Sequence, residues 1–155
     1  MIKINVITNN NKWLNYIKKP NYYLDKKISK LNSKEKKFKK KQIFCTLLLS
    51  GSKEIRYLNK KFRKKNKATD VLSFPFQTKK ELKKKLKTEK EIYLGDIIIN
   101  LNKIKSKNKK FFFETEFDRL WIHGLVHLFG HDHKKDKDFK IMRQVEKNYL
   151  DLVND

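Results

Sequence analysis

Four histidines occur in this chain, all within one stretch, His123-Gly-Leu-Val-His127-Leu-Phe-Gly-His131-Asp-His133. On an α-helix an i, i+4 pair such as His123 and His127 lies on one face about one turn apart, so two imidazoles can share one ion. Gly130 suits the left-handed residue just past a helix end, where the chain reverses and can carry His133 back toward the first two rings. Three neutral imidazoles leave the fourth position of a tetrahedral zinc open, the layout of a catalytic site and not a structural one. One zinc ion per chain is therefore the expected cofactor, although nickel, copper and cobalt accept the same ligands. His131 reads as an exposed or outer residue beside the site. Asp132 reads as the group that orients an imidazole or a bound water.

The helix resembles the His-Glu-x-x-His segment of zinc peptidases, but Gly124 stands where their glutamate would be, so the general base of that chemistry is missing. A metal centre of this kind can still act on a phosphoryl group if another residue stabilises the developing charge. Arg63, closing Leu58-Asn-Lys-Lys-Phe-Arg63, is the catalytic candidate, because a guanidinium grips phosphate in a fork that lysine cannot reproduce. Its plainer reading is one more surface cation among 40 Lys and Arg.

The elements that must position these groups are legible in part. Residues 2–8 alternate as a half-buried strand. Trp13, Leu14, Ile17, Tyr22, Tyr23, Ile28 and Leu31 are spaced as the buried sides of short helices interrupted at Pro20. An apolar strand over 42–50 precedes a helix opening at Ser52. A short strand follows, Asp70-Val-Leu-Ser-Phe-Pro75. The lysine-rich segment Lys79–Lys90 is expected to be an exposed, helical excursion. Ile92–Ile99 is the best central strand, with Gly95 allowing a close backbone approach. Phe117, Leu120, Trp121, Gly124, Leu125 and Leu128 form the buried stripe of the histidine helix, which places His123 and His127 at its border. A last helix starts near Asp136, with Phe139, Met142, Val145, Tyr149 and Leu152 as its buried side. Short mixed elements of this kind predict an α+β layered sandwich with a small mixed sheet of about four strands packed with helices.

At 155 residues one domain is expected over the whole chain. Forty Lys+Arg against 17 Asp+Glu give a net charge of +23 and a pI near 10.0, which directs the protein toward polyanions such as RNA, DNA or an anionic membrane surface, nucleic acid before membrane. Part of the lysine content follows from a bias that also enriches Asn, Ile and Phe, as in A+T-rich genomes. The chain lacks a run of 18 apolar residues and a signal-peptide core, so a cytoplasmic location is expected. Cys45 is the only cysteine and sits in an apolar run, which rules out an intrachain disulfide and suggests an inert buried thiol.

Taken in order, Leu58-Asn59 with Arg63, Thr69-Asp-Val-Leu-Ser-Phe-Pro75, Leu94-Gly-Asp-Ile97 and His123-Gly-x-x-His-Leu-x-Gly-His-Asp-His133 resemble the YbeY family of bacterial endoribonucleases. The likeness runs from about residue 42 to the end and is loose before that. It implies zinc held by His123, His127 and His133, a functional Arg63, and a zincin-like sandwich. Position 131 is often tyrosine in that family, which keeps His131 out of the metal shell. The implied activity is metal-dependent cleavage of single-stranded ribosomal RNA, notably at the 3' end of the small-subunit RNA, with a part in ribosome quality control. The implied partners are single-stranded RNA and the small ribosomal subunit, with neither DNA nor membrane. The rival readings are a non-catalytic ribosome-assembly factor with a structural metal, and a metal-dependent peptidase.

Overall fold

The computed structural model describes all of residues 1–155. Four strands form one sheet: β1 (Ile2–Thr8), β2 (Gln42–Ser50), β3 (Val71–Pro75) and β4 (Glu91–Asn100), in the order β1-β2-β4-β3. β1, β2 and β4 run parallel, while β3 lies antiparallel against β4 at the edge, so the sheet is mixed as expected. Five helices accompany it: α1 (Pro20–Lys34), α2 (Ser52–Arg63), α3 (Lys79–Thr88), α4 (Lys110–Leu128) and α5 (Asp136–Asn154).

β2 buries Ile43, Cys45, Leu47 and Leu49 on alternate positions, the signature of a strand with one face in the core. That face meets α1, α4 and α5 in a cluster of 31 buried residues. A smaller cluster of Ile55, Leu72 and Ile98 seats α2 on the opposite face. Trp13 and Trp121 are fully buried, and each indole N–H finds an acceptor, the Ser50 carbonyl at 2.8 Å and Asp118 Oδ1 at 2.9 Å. Asp118 is itself buried. It also accepts from Tyr23 at 3.0 Å and pairs with Lys27 at 2.8 Å, so its charge is fully partnered where α1 crosses α4. Cys45 is 1% exposed, and burial followed by the nearby Asp96 pushes its thiol up to about 12, which makes it inert.

The lysine-rich 79–90 segment is helical. Thr78 accepts from Glu81 N, and Glu81 reaches back to the Thr78 N–H, a reciprocal cap that starts α3 despite its crowded positive charge. Gly95 has φ +133, and a Cβ there would lie 2.1 Å from the Phe74 carbonyl oxygen; the close approach read from the sequence is therefore obligatory. Two expectations need correction. Tyr22 and Leu14 point to solvent. On α5, Met142 and Tyr149 are buried and Val145 and Leu152 pack half-buried against the core as expected, but Phe139 is 46% exposed and Val153 is buried in addition.

Candidate metal centre

α4 carries His123 and His127 on its last two turns and then stops in a Schellman motif. Gly130, at φ +90, donates to the His127 carbonyl at 2.9 Å, and His131 N donates to the Val126 carbonyl at 3.3 Å. The reversal returns His133 to the helix, as the glycine predicted. Ring centroids lie 4.6 Å apart for His123 and His127, 5.0 Å for His127 and His133, and 6.0 Å for His123 and His133. One ligand atom from each ring falls within 4.8 Å of the others, a spacing that could hold a metal ion.

The donor set suits a metal for a second reason. His127 Nδ1 donates to the His131 carbonyl at 2.9 Å, and His123 Nδ1 meets Glu146 Oε1 at 2.5 Å. Both Nδ1 atoms are occupied, which fixes the tautomer and frees both Nε2 atoms as ligands. Burial first, and the neighbouring His123 second, hold the His127 imidazole below its ordinary 6.5, favouring the neutral form that a metal needs. In metal-free protein the His127 ring signals should titrate by NMR with a midpoint below 6.5; a midpoint at or above that value would contradict this environment. Because the folded value lies below the unfolded one, the ring costs nothing above pH 6.5, and stability drops as pH falls from there through the lowered value.

Glu146 is the residue that sequence reasoning missed. Burial raises its carboxyl, but the hydrogen bond from His123 and the charges of His123, His127 and Arg119 outweigh this and hold it below the usual carboxylate range. It takes the orienting role expected of Asp132, whose Oδ1 accepts from the His133 backbone N–H at 2.7 Å and so shapes the loop instead of a ring. Glu146→Gln is expected to weaken metal binding at the cluster about 10- to 100-fold, measured by competition with a chromophoric chelator. Unchanged affinity would reduce Glu146 to a packing residue. His131 contributes its carbonyl while its ring stays outside the triad.

Arg63 ends α2, where Lys64 takes the left-handed conformation at φ 60 and turns the chain. Its Nη2 donates to the Ser73 carbonyl of edge strand β3 at 2.7 Å, and its guanidinium lies 5.5 Å from the centre of the Phe74 ring. Ser73 Oγ in turn donates to the Gly124 carbonyl at 3.2 Å, tying the arginine's anchor to the histidine helix. Gly124 faces the sheet: a Cβ there would stand 2.5 Å from Ile97 Cγ2. Arg63, Ser73 and the three clustered histidines line one cavity of about 870 Å³, with Lys65, Lys79 and Lys134 also in its wall. The start of the lysine-rich helix thus borders the site. No helix is long and apolar enough to cross a membrane.

Comparison with known proteins places this geometry among its relatives. The family model of endoribonuclease YbeY matches residues 7–154. An endoribonuclease YbeY of Pelagibacter ubique is 45% identical over 148 residues, covering 94% of this chain and 92% of that one. Another, from Ehrlichia canis, is 34% identical over 155 residues, covering 99% and 93%. A Thermotoga maritima protein solved in solution superposes with a TM-score of 0.51 at 28% identity, across 99% of this chain and 89% of that one.

Proposed function

The chain belongs to the endoribonuclease YbeY family, and from that premise we propose that it is a zinc-dependent, single-strand-specific endoribonuclease of ribosomal RNA maturation. Its proposed substrate is the 3' end of small-subunit RNA, met in the cytoplasm and on the small ribosomal subunit, with a part in ribosome quality control. The observation that carries the reading is a convergence: three imidazoles spaced for one ion and a guanidinium line the same cavity. Residues 1–155 are taken as one domain, a reading supported by a core cluster with members from β1 through α5.

His123, His127 and His133 would hold the metal, which when bound supplies Lewis-acid polarisation of a phosphoryl oxygen. Lys65, Lys79 and Lys134 draw the RNA backbone to the cavity. Arg63 spends one N–H on the Ser73 carbonyl and keeps the others for the phosphate, where they offset negative charge building up on its nonbridging oxygens. Anchoring on the strand fixes its direction before substrate arrives, which lowers the reorganisation needed during reaction. The RNA's own 2'-hydroxyl and water are both open as nucleophile: a 2',3'-cyclic phosphate product marks the first route, a 5'-phosphate the second.

The test is incubation of zinc-loaded protein with single-stranded and duplex forms of one ribosomal RNA fragment, with and without chelator. Cleavage confined to the single strand and abolished by chelator is expected. Binding without cleavage would move the protein to the assembly factors, and digestion of casein to the peptidases.

A further inference from the structure

Where α1 and α4 begin, a cavity of about 940 Å³ opens that shares no lining residue with the histidine cavity. From Phe113 in its wall to His127, the α4 axis runs on the order of 20 Å at 1.5 Å per residue. Building on the nuclease reading above, we infer that this groove is a second RNA-binding surface, which grips phosphates of the single strand remote from the site of cleavage.

Charge is the first argument. Seven lysines line the groove, and Glu114 is its only acidic lining residue. Lys27 is paired with Asp118, and Lys110 reaches Glu114 at 3.8 Å. Lys18, Lys19, Lys26 and Lys107 form no ion pair. Uncompensated cations around one concavity repel each other, and a polyanion that threads it removes that repulsion while releasing its own counterions.

The aromatic residues are the second. Tyr22 lies in the wall and is 68% exposed, an open ring among the lysines. Tyr16 stacks on Phe113 at 4.7 Å in the lining. Lysines that track a backbone beside an open aromatic ring such as Tyr22 are the combination that holds single strands without regard to sequence. The concave shape admits a flexible chain, whereas a bilayer surface needs a flat or protruding face.

The inference is tested by fluorescence anisotropy on the zinc-loaded full chain, with a labelled 2'-O-methyl oligouridylate of roughly 20 nucleotides whose integrity is checked on a gel. Replacing Lys18, Lys19, Lys26 and Lys107 together by glutamine is expected to weaken binding tenfold or more. The slope of log affinity against log salt should shrink by about 2 to 3, from ~0.7 per single-strand phosphate contact. Tyr22→Ala should weaken binding roughly tenfold with the salt slope unchanged, the mark of lost stacking. Unchanged affinity and slope in the lysine variant overturn the proposal. So does retained RNA binding with lost binding to phosphatidylserine vesicles, which assigns the groove to a membrane. If the nuclease reading is what fails, the unaltered protein cuts no RNA, and the binding comparison still decides the groove.

Discussion

Replacing Arg63 by alanine is expected to slow RNA cleavage by roughly two orders of magnitude or more while zinc content stays at the wild-type level. The fold asks little of this side chain. It is exposed on the last turn of α2, and its structural contacts are one hydrogen bond to the Ser73 carbonyl and the face of Phe74. Losing such a hydrogen bond costs about 0.5–1.5 kcal/mol of stability, too little to unfold a domain of ordinary stability. Losing a preorganised cation beside the developing charge costs a few kcal/mol of barrier, and every 1.36 kcal/mol is tenfold in rate. Arg63→Lys should recover little, because a single ammonium cannot hold the Ser73 carbonyl and grip phosphate in a fork at once. Single-turnover rates, elemental analysis and thermal melts on the same samples separate the two effects. Equal rates for variant and wild type would remove Arg63 from the chemistry.

The second large effect is expected at His127, whose replacement by alanine should abolish both stoichiometric zinc and cleavage. Its ring is the middle of the three, nearer to His123 and His133 than those two are to each other. Its Nδ1 is committed to the His131 carbonyl, so Nε2 is already aimed before metal arrives. Two imidazoles without the central one form a much weaker site. Chelator-treated wild type should behave as the variant does. His131→Ala supplies the contrast, since the group used at that position is a backbone carbonyl, which alanine keeps. Full zinc occupancy in His127→Ala would overturn the ligand assignment.

Local signals made much of this visible in the sequence. The i, i+4 histidines and Gly130 encode the paired imidazoles on α4 and the reversal after it, because helix period and left-handed φ are properties of a few neighbouring residues. The strands were equally plain, and Gly95 announced a close backbone approach, though not that β3 makes it. Glu146 was invisible because it joins His123 across 23 residues of chain, from a different helix. A trace of it existed. Met142, Glu146, Tyr149 and Val153 share one helical face, so a carboxylate sits on a stripe that is otherwise buried. Following apolar residues alone counted exposed Phe139 on the buried side and left that carboxylate out of view. The groove between α1 and α4 was hidden for a related reason: its lysines are unremarkable in a chain of such charge until the fold gathers them.

The packing of Gly124 on Ile97 also bears on how this protein could change over generations. One base change converts a glycine codon that ends in a purine to a glutamate codon, so with such a codon the His-Glu-x-x-His arrangement of peptidases lies a single mutation away on paper. In the folded chain the first carbon of any side chain at 124 would stand 2.5 Å from a methyl of Ile97, itself fully buried and stiff at χ1. Even alanine there should cost about 1–3 kcal/mol by overpacking, and a larger side chain would have to lever the helix off the sheet. The new enzyme would lose its scaffold before selection could sample its activity, unless position 97 shrank first. A close dovetail of helix on strand thus stands as a steric barrier on the mutational path toward the peptidase arrangement.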